Sequence, residues 1–113
     1  MKVQINIARN DRDTDQPMDQ ALWDRFVFDV QQCLHKSTRL GQKLNWLAGG
    51  LYDCFDSGEE SFFALADVSY GFDKVRFQND IYRLTEKYNQ DSIAVTYICE
   101  DSNFLIKNLN NKH

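Results

Sequence analysis

The sequence predicts an α+β sandwich built on a ferredoxin-like split βαβ plan. Its order is β-α-β-β-α-β-β, with two helices on one face of an antiparallel sheet. Three observations lead there. Phe77, Ile81, Leu84 and Tyr88 recur at helical spacing, and after Asn89 the pattern changes to period two, with Ile93, Val95 and Tyr97 alternating with Ala94, Thr96 and Ile98. Val3, Ile5 and Ile7 alternate with Gln4, Asn6 and Ala8, as a half-buried strand requires. Between these ends, Leu22, Phe26, Val30 and Cys33 form a second helical stripe. A chain of 113 residues has room for one two-layer core, so residues 1–107 read as one domain and the Asn-rich 108–113 as a frayed tail.

Taken in order, the first strand ends in a polar loop, residues 10–16, and Pro17 pre-sets the backbone of a helix start. The helix predicted from Met18 to Lys36 has Trp23, Val27 and Leu34 widening its stripe, and Phe28 falls off it. His35 and Lys36 lie in its last turn, where positive charge is favoured. Residues 37–61 are less legible. Leu40, Leu44 and Leu47 before Gly49-Gly50 suit a short helix. A strand from Lys43 to Ala48 is preferred, because the chain must return to the sheet, and it leaves Gly49–Glu60 as a long loop. Ser61–Ser69 is a nearly continuous apolar run, hence an interior strand. Asp73 offers the acceptor that a helix start needs, and Glu100–Asn103 is a polar turn before a short strand, Phe104–Ile106.

On the fourth strand, Ile93, Val95 and Tyr97 are expected to face the helices. Gln4, Asn6, Ala8 and Thr96 then lie on an open face too small and polar for a large face-to-face dimer. The expected state is a monomer or a small dimer mediated by the sheet edge or the Gly49–Glu60 loop.

The formal net charge is −4 and the pI near 5, which argues against general binding to nucleic acid or an anionic membrane. Cys33, Cys54 and Cys99 have neither zinc-ligand nor redox spacing and read as thiols in a reducing compartment. The start lacks the apolar run of a signal peptide, so a cytoplasmic protein is expected.

No catalytic constellation assembles in the sequence. The run Asp11-Arg12-Asp13-Thr14-Asp15 opens like a calcium loop, but Gln16 or Met18 stands where glycine is needed and Leu22 or Asp24 where the bidentate glutamate belongs. Cys33 and His35 are two residues apart, and on a helix their side chains diverge. Gly49-Gly50 lacks the residues that complete a phosphate cradle. Phe62 and Phe63 lack the basic context of an RNA-recognition strand, so core packing is their expected role. A weakly acidic DNA mimic would gather carboxylates 11, 13, 15, 53, 56, 59, 60 and 67 on one face, and interspersed basic residues weaken that reading. The expectation is a non-enzymatic protein without cofactor or metal. Its partner-binding residues are Trp46, Tyr52 and Phe55, ringed by Glu59 and Glu60, aromatic anchors amid charge being typical of protein contacts. The alternatives are completion of a small core by those rings, or a small-ligand, nucleotide-type binder or sponge with a pocket between sheet and loop.

Two stretches carry a resemblance. KVQINIARND with its following Trp-containing helix, and LTEKYNQDSIAV with its hairpin ending in FLI, together about half the chain, resemble small accessory proteins encoded by bacteriophages and prophages. Tyr88, Asn89, Gln90, Asp91, Ser92 and Ile93 carry most of the likeness. It implies a cytoplasmic protein of a mobile genetic element that binds a host factor or counteracts host defence. The same motif has a purely structural reading. Asn89 can end a helix in the left-handed conformation, while Gln90, Asp91 and Ser92 satisfy loose backbone at the strand entry.

Overall fold

In this computed structural model, residues 1–39, 42–55, 57–69, 71–98 and 102–109 are described. Their elements run β1 (Lys2–Ala8), α1 (Gln20–Ser37), β2 (Asn45–Asp53), β3 (Glu60–Asp67), α2 (Lys74–Lys87), β4 (Ser92–Tyr97) and β5 (Ser102–Lys107). The sheet order is β2-β3-β1-β4-β5 with every pairing antiparallel. Both helices pack on one face of that sheet, the ferredoxin-like arrangement with β5 added beside β4.

Burial explains why each strand holds its register. Val3, Ile5 and Ile7 of β1, Ala64 and Ala66 of β3, and Ile93, Val95 and Tyr97 of β4 are all buried against the helices. A slip of one residue would turn each set to the opposite face. From the helical layer Trp23, Phe26, Val30 and Leu34 of α1 and Phe77 and Ile81 of α2 meet them, all fully buried. The inward face expected for β4 is the one observed.

The helix ends follow local chemistry. Asp19 accepts a hydrogen bond from the Leu22 N–H at 2.8 Å and Asp73 one from the Arg76 N–H at 3.0 Å. The first helix therefore starts at Gln20, two residues after the expected Met18, and Pro17 sits outside it in an isolated bridge to Asn10. Asp19→Ala and Asp73→Ala should each lower the free energy of unfolding by about 1 kcal/mol, read as a drop in urea midpoint at unchanged slope. Asparagine at either position, which can still accept the bond, should restore most of it.

Several boundaries differ from expectation. Ser102 and Asn103 belong to β5 instead of the preceding turn; residues 99–101 of that turn lie outside the described residues. Asn108, expected in the frayed tail, is tied down: its N–H donates to the Asp91 carbonyl at 2.8 Å and its side chain to the Thr85 carbonyl at 3.2 Å. The largest correction is at Gly49–Glu60. The strand does not stop at Ala48 but runs on through Gly49 and Gly50 to Asp53, in register with β3 from Leu65 to Glu60. Pairing to an interior strand outweighs the weak strand preference of two glycines. The long loop shrinks to a tight connection, closed by Cys54 and Glu59 (N–H to carbonyl, 2.8 Å) and by Gly58 at φ 69°.

Candidate functional site

The extension of β2 to Asp53 presents an unusual surface. β2 is an edge strand, nine residues long, and apart from half-buried Gly50 every residue in it is exposed. It carries Trp46 (40% exposed), Leu47 (48%), Leu51 (60%) and Tyr52 (39%), with Phe55 fully exposed at the hairpin tip. Edge strands are usually guarded by charge or proline, and residues 46–52 contain neither.

The strand distributes its side chains over both faces. Trp46, Gly49 and Leu51 register with Ala66, Ala64 and Phe62 on the helix face; Ala48, Gly50 and Tyr52 register with Leu65, Phe63 and Ser61 on the open face. A bulge between Trp46 and Ala48 sets Leu47 out of the alternation. The Trp46 indole packs edge-on against the His35 ring of α1, centroids 5.5 Å apart. The Tyr52 hydroxyl accepts a hydrogen bond from the Asn6 amide at 2.9 Å, and its ring lies edge-on to Phe63. Between α1 and β2 runs an open groove of about 430 Å³, lined by Gln31, Trp46, Gly49, Phe62 and Ala64 among others. Gly49 contributes no side chain to its floor, and a Cβ there would come within 3.2 Å of the Phe63 carbonyl oxygen.

The three predicted anchors thus lie on one hairpin but not in one cluster: Trp46 on the helix face, Tyr52 on the open face, Phe55 at the tip. Glu59 and Glu60 stand at the hairpin base with other partners. The Asn10 N–H donates to Glu59 Oε1 at 2.6 Å, and Arg9 Nη1 lies 2.6 Å from Glu60 Oε2. They pin the hairpin to the end of β1. Sequence reasoning did not single out Leu47 and Leu51. Gly49-Gly50 between them read as the end of the strand and hid Leu51, and reading the whole segment as an edge strand would have placed both on the surface.

The open face is also more apolar than β1 and β4 alone suggest. Beside Gln4, Asn6 and Thr96 it presents half-buried Phe63 and Leu65 and the exposed Leu105.

The acidic loop and the Tyr88–Ile93 motif prove to be two halves of one brace. Asn89, at φ 49°, donates from Nδ2 to Asp11 Oδ1 at 3.0 Å and to Asp13 Oδ2 at 2.8 Å. Buried Gln90 donates to the Asn10 carbonyl at 3.0 Å, and Arg12 pairs with Asp91 at 3.5 Å. Burial pushes the Asp11 carboxyl upward, but hydrogen bonds from Asn89 and from the backbone of Asp13 and Thr14 outweigh it and hold it below its ordinary value. Among the described residues, no group of three His, Cys, Asp or Glu side chains could hold a metal ion. Asp56 and Cys99 lie outside the described residues.

On the outer side of the helices a second groove, about 520 Å³, separates α1 from α2. It brings Lys36, Arg76, Arg83 and Lys87 together with Asp29 and Asp80, and exposed Phe28 stands at its rim. Cys33 borders it, but burial, with added repulsion from Asp80, pushes its thiol up to about 12, so it stays protonated and poorly nucleophilic at neutral pH. His35, facing Trp46, takes no part.

No protein-family model and no curated protein matches the chain. Among solved structures it is similar to a phage SAM lyase in complex with S-methyl-5'-thioadenosine, at 18% identity and a TM-score of 0.41, over 83% of this chain and 76% of that one. Nothing is carried over from so distant a likeness. No helix among the described residues is long and apolar enough to cross a membrane.

Proposed function

We propose that this chain is a non-enzymatic binding protein that engages another protein through the β2–β3 hairpin. The observation that carries it is the hairpin itself: an edge strand apolar on both faces, without charge or proline from Trp46 to Tyr52, tipped by a fully exposed phenylalanine. Surfaces of this kind are found where proteins meet. Trp46 and Phe55 serve as anchors, with Tyr52 and Leu51 widening the contact. The resemblance of the β1–α1 stretch and the Tyr88–Ile93 corner to phage and prophage accessory proteins supports a protein of a bacterial host as the partner, with an anti-defence role as its consequence.

The test compares the wild type with a Trp46→Ala/Tyr52→Ala/Phe55→Ala variant as bait in bacterial lysate, followed by titration of the purified captured protein against both. Loss of two or more such anchors should weaken binding at least about a hundredfold. Equal affinity for both baits would remove the hairpin as the contact surface.

A second reading is favoured by the groove between the helices, where four basic side chains face two carboxylates beside an exposed ring. That groove suits a small anion with an aromatic part, such as a nucleotide. Thermal shift at millimolar nucleotide is the check: stabilisation that Lys36→Ala/Arg83→Ala abolishes supports it, and no shift with any nucleotide removes it.

A further inference from the structure

We infer that the free edge of β2 pairs with β2 of a second copy of this chain, antiparallel across a two-fold axis at Gly50, joining the two sheets into one. This rests on the reading of β2 as a contact surface and names what occupies its backbone edge.

Past its bulge the edge is unguarded. No described strand lies beyond β2, and from Ala48 to Asp53 its register with β3 is regular, the bulge being confined to the Trp46 end. Such an edge is a template for a further strand.

Its side chains are self-complementary in one register. Antiparallel pairing sets residues of the same face opposite each other. With the axis at Gly50, Leu51 of one copy lies opposite Gly49 of the other, and Tyr52 opposite Ala48. Large meets small on both faces, and the symmetry repeats each pair. Leu51 would enter the groove that Gly49 leaves open beside Gln31, Phe62 and Ala64. An axis at Gly49 would run Tyr52 into the bulge, and an axis at Leu51 would set Asp53 into that groove. With the axis at Gly50 the regular pairs end at Ala48 and Tyr52, and Asp53, the one charged residue of the strand, reaches the bulged end at Leu47, so no like charges meet.

The area is that of a modest dimer. Trp46, Leu47, Leu51, Tyr52 and Phe55 together expose roughly 500 Å² per copy, the most that pairing can cover from these side chains. Stable interfaces begin near about 600 Å² per partner, and the backbone edge adds to the side-chain figure. Pairing about the two-fold axis closes the assembly at two copies.

The experiment uses the full chain with Cys54→Ser and Cys99→Ser. Light scattering should show a mass rising with concentration from 13.3 kDa toward twice that value. A Cβ at Gly50 meets no atom within 4 Å, so Gly50→Cys is sterically free and should form an intermolecular disulfide across the axis. Ala48→Cys and Tyr52→Cys should cross-link when mixed but not alone. Leu51→Lys, at an exposed position, should raise the dissociation constant at least tenfold. A monomer at every concentration, a dimer indifferent to Leu51→Lys, or a dimer whose Gly50→Cys thiols do not join would overturn the inference. A monomer that still captures a host protein through Trp46, Tyr52 and Phe55 removes the second copy and leaves the contact surface standing. A cross-linked dimer that captures nothing does the reverse.

Discussion

Replacing Phe26 by alanine is expected to lower the free energy of unfolding by about 3–5 kcal/mol, the range for truncating a fully buried ring. Phe26 is 0% exposed, stacks on Tyr88 with centroids 4.4 Å apart, and meets Trp23 edge-on at 5.9 Å. It joins α1 to the end of α2, so the cavity left behind opens between two elements that cannot both collapse into it. At roughly 4 °C or more per kcal/mol for a domain of this size, the melting midpoint should fall by at least about 12 °C. Phe28 provides the control. Two residues along the same helix and 58% exposed, its alanine variant should stay within about 0.5 kcal/mol of the wild type. Urea and thermal unfolding of the two variants side by side decide the matter. Equal losses would mean that the Trp23–Phe26–Val30 face of α1 is not the one packed on the sheet.

That contrast between Phe26 and Phe28 was legible in the sequence, because a helical stripe is a statement about periodicity and needs no knowledge of partners. The same holds for the inward face of β4, where β-branched residues continue the set on β1. The cap at Asp73 and the left-handed Asn89 were legible because each is a local demand of a helix end. What was hidden depended on distant pairing. Gly49 and Gly50 read as a break, and only the interior strand β3 beside them keeps the chain extended to Asp53. With that pairing undetected, Leu51 had no face to be assigned to, and Tyr52 and Phe55 read as loop residues beyond the strand that holds Trp46, when all three lie on one hairpin with Trp46 and Tyr52 on opposite sides of the sheet. Glu59 and Glu60 illustrate the same limit. Their chemistry suggested a charged rim, while their partners, Asn10 and Arg9, lie about fifty residues away in the chain. The carboxylates of the Asp11–Asp15 loop likewise found a use that no local motif encodes, since Asn89 comes to them from the far end of α2.

Asp29, which no motif marked, should govern a large share of the acid sensitivity of the fold. Its carboxylate accepts a hydrogen bond from the Tyr88 hydroxyl at 2.5 Å and one from Lys87 at 2.9 Å, so it ties α1 to the last turn of α2. Burial pushes its pKa up, but those two donors outweigh that and hold it below the ordinary value. Burial and the same carboxylate push the Tyr88 hydroxyl upward, so it remains a donor throughout the neutral range. Because the folded pKa of Asp29 is depressed, the unfolded chain takes up the proton first as pH falls. The stabilisation is therefore complete above the unfolded value near 3.9 and is lost as pH drops through the folded one. Asp11 is depressed in the same sense and adds to the slope. Hydrogen bonds to a charged group contribute about 1.5–3 kcal/mol, so Asp29→Asn should cost about 2 kcal/mol at pH 7. Urea midpoints of the two proteins should converge as pH falls from about 5 toward about 2, since the wild type then loses what the variant never had. Tyr88→Phe, which removes one donor, should move the carbon-13 titration of the Asp29 carboxyl upward. Stability curves that stay parallel across that whole range would show that the Asp29 brace does not set the acid limb.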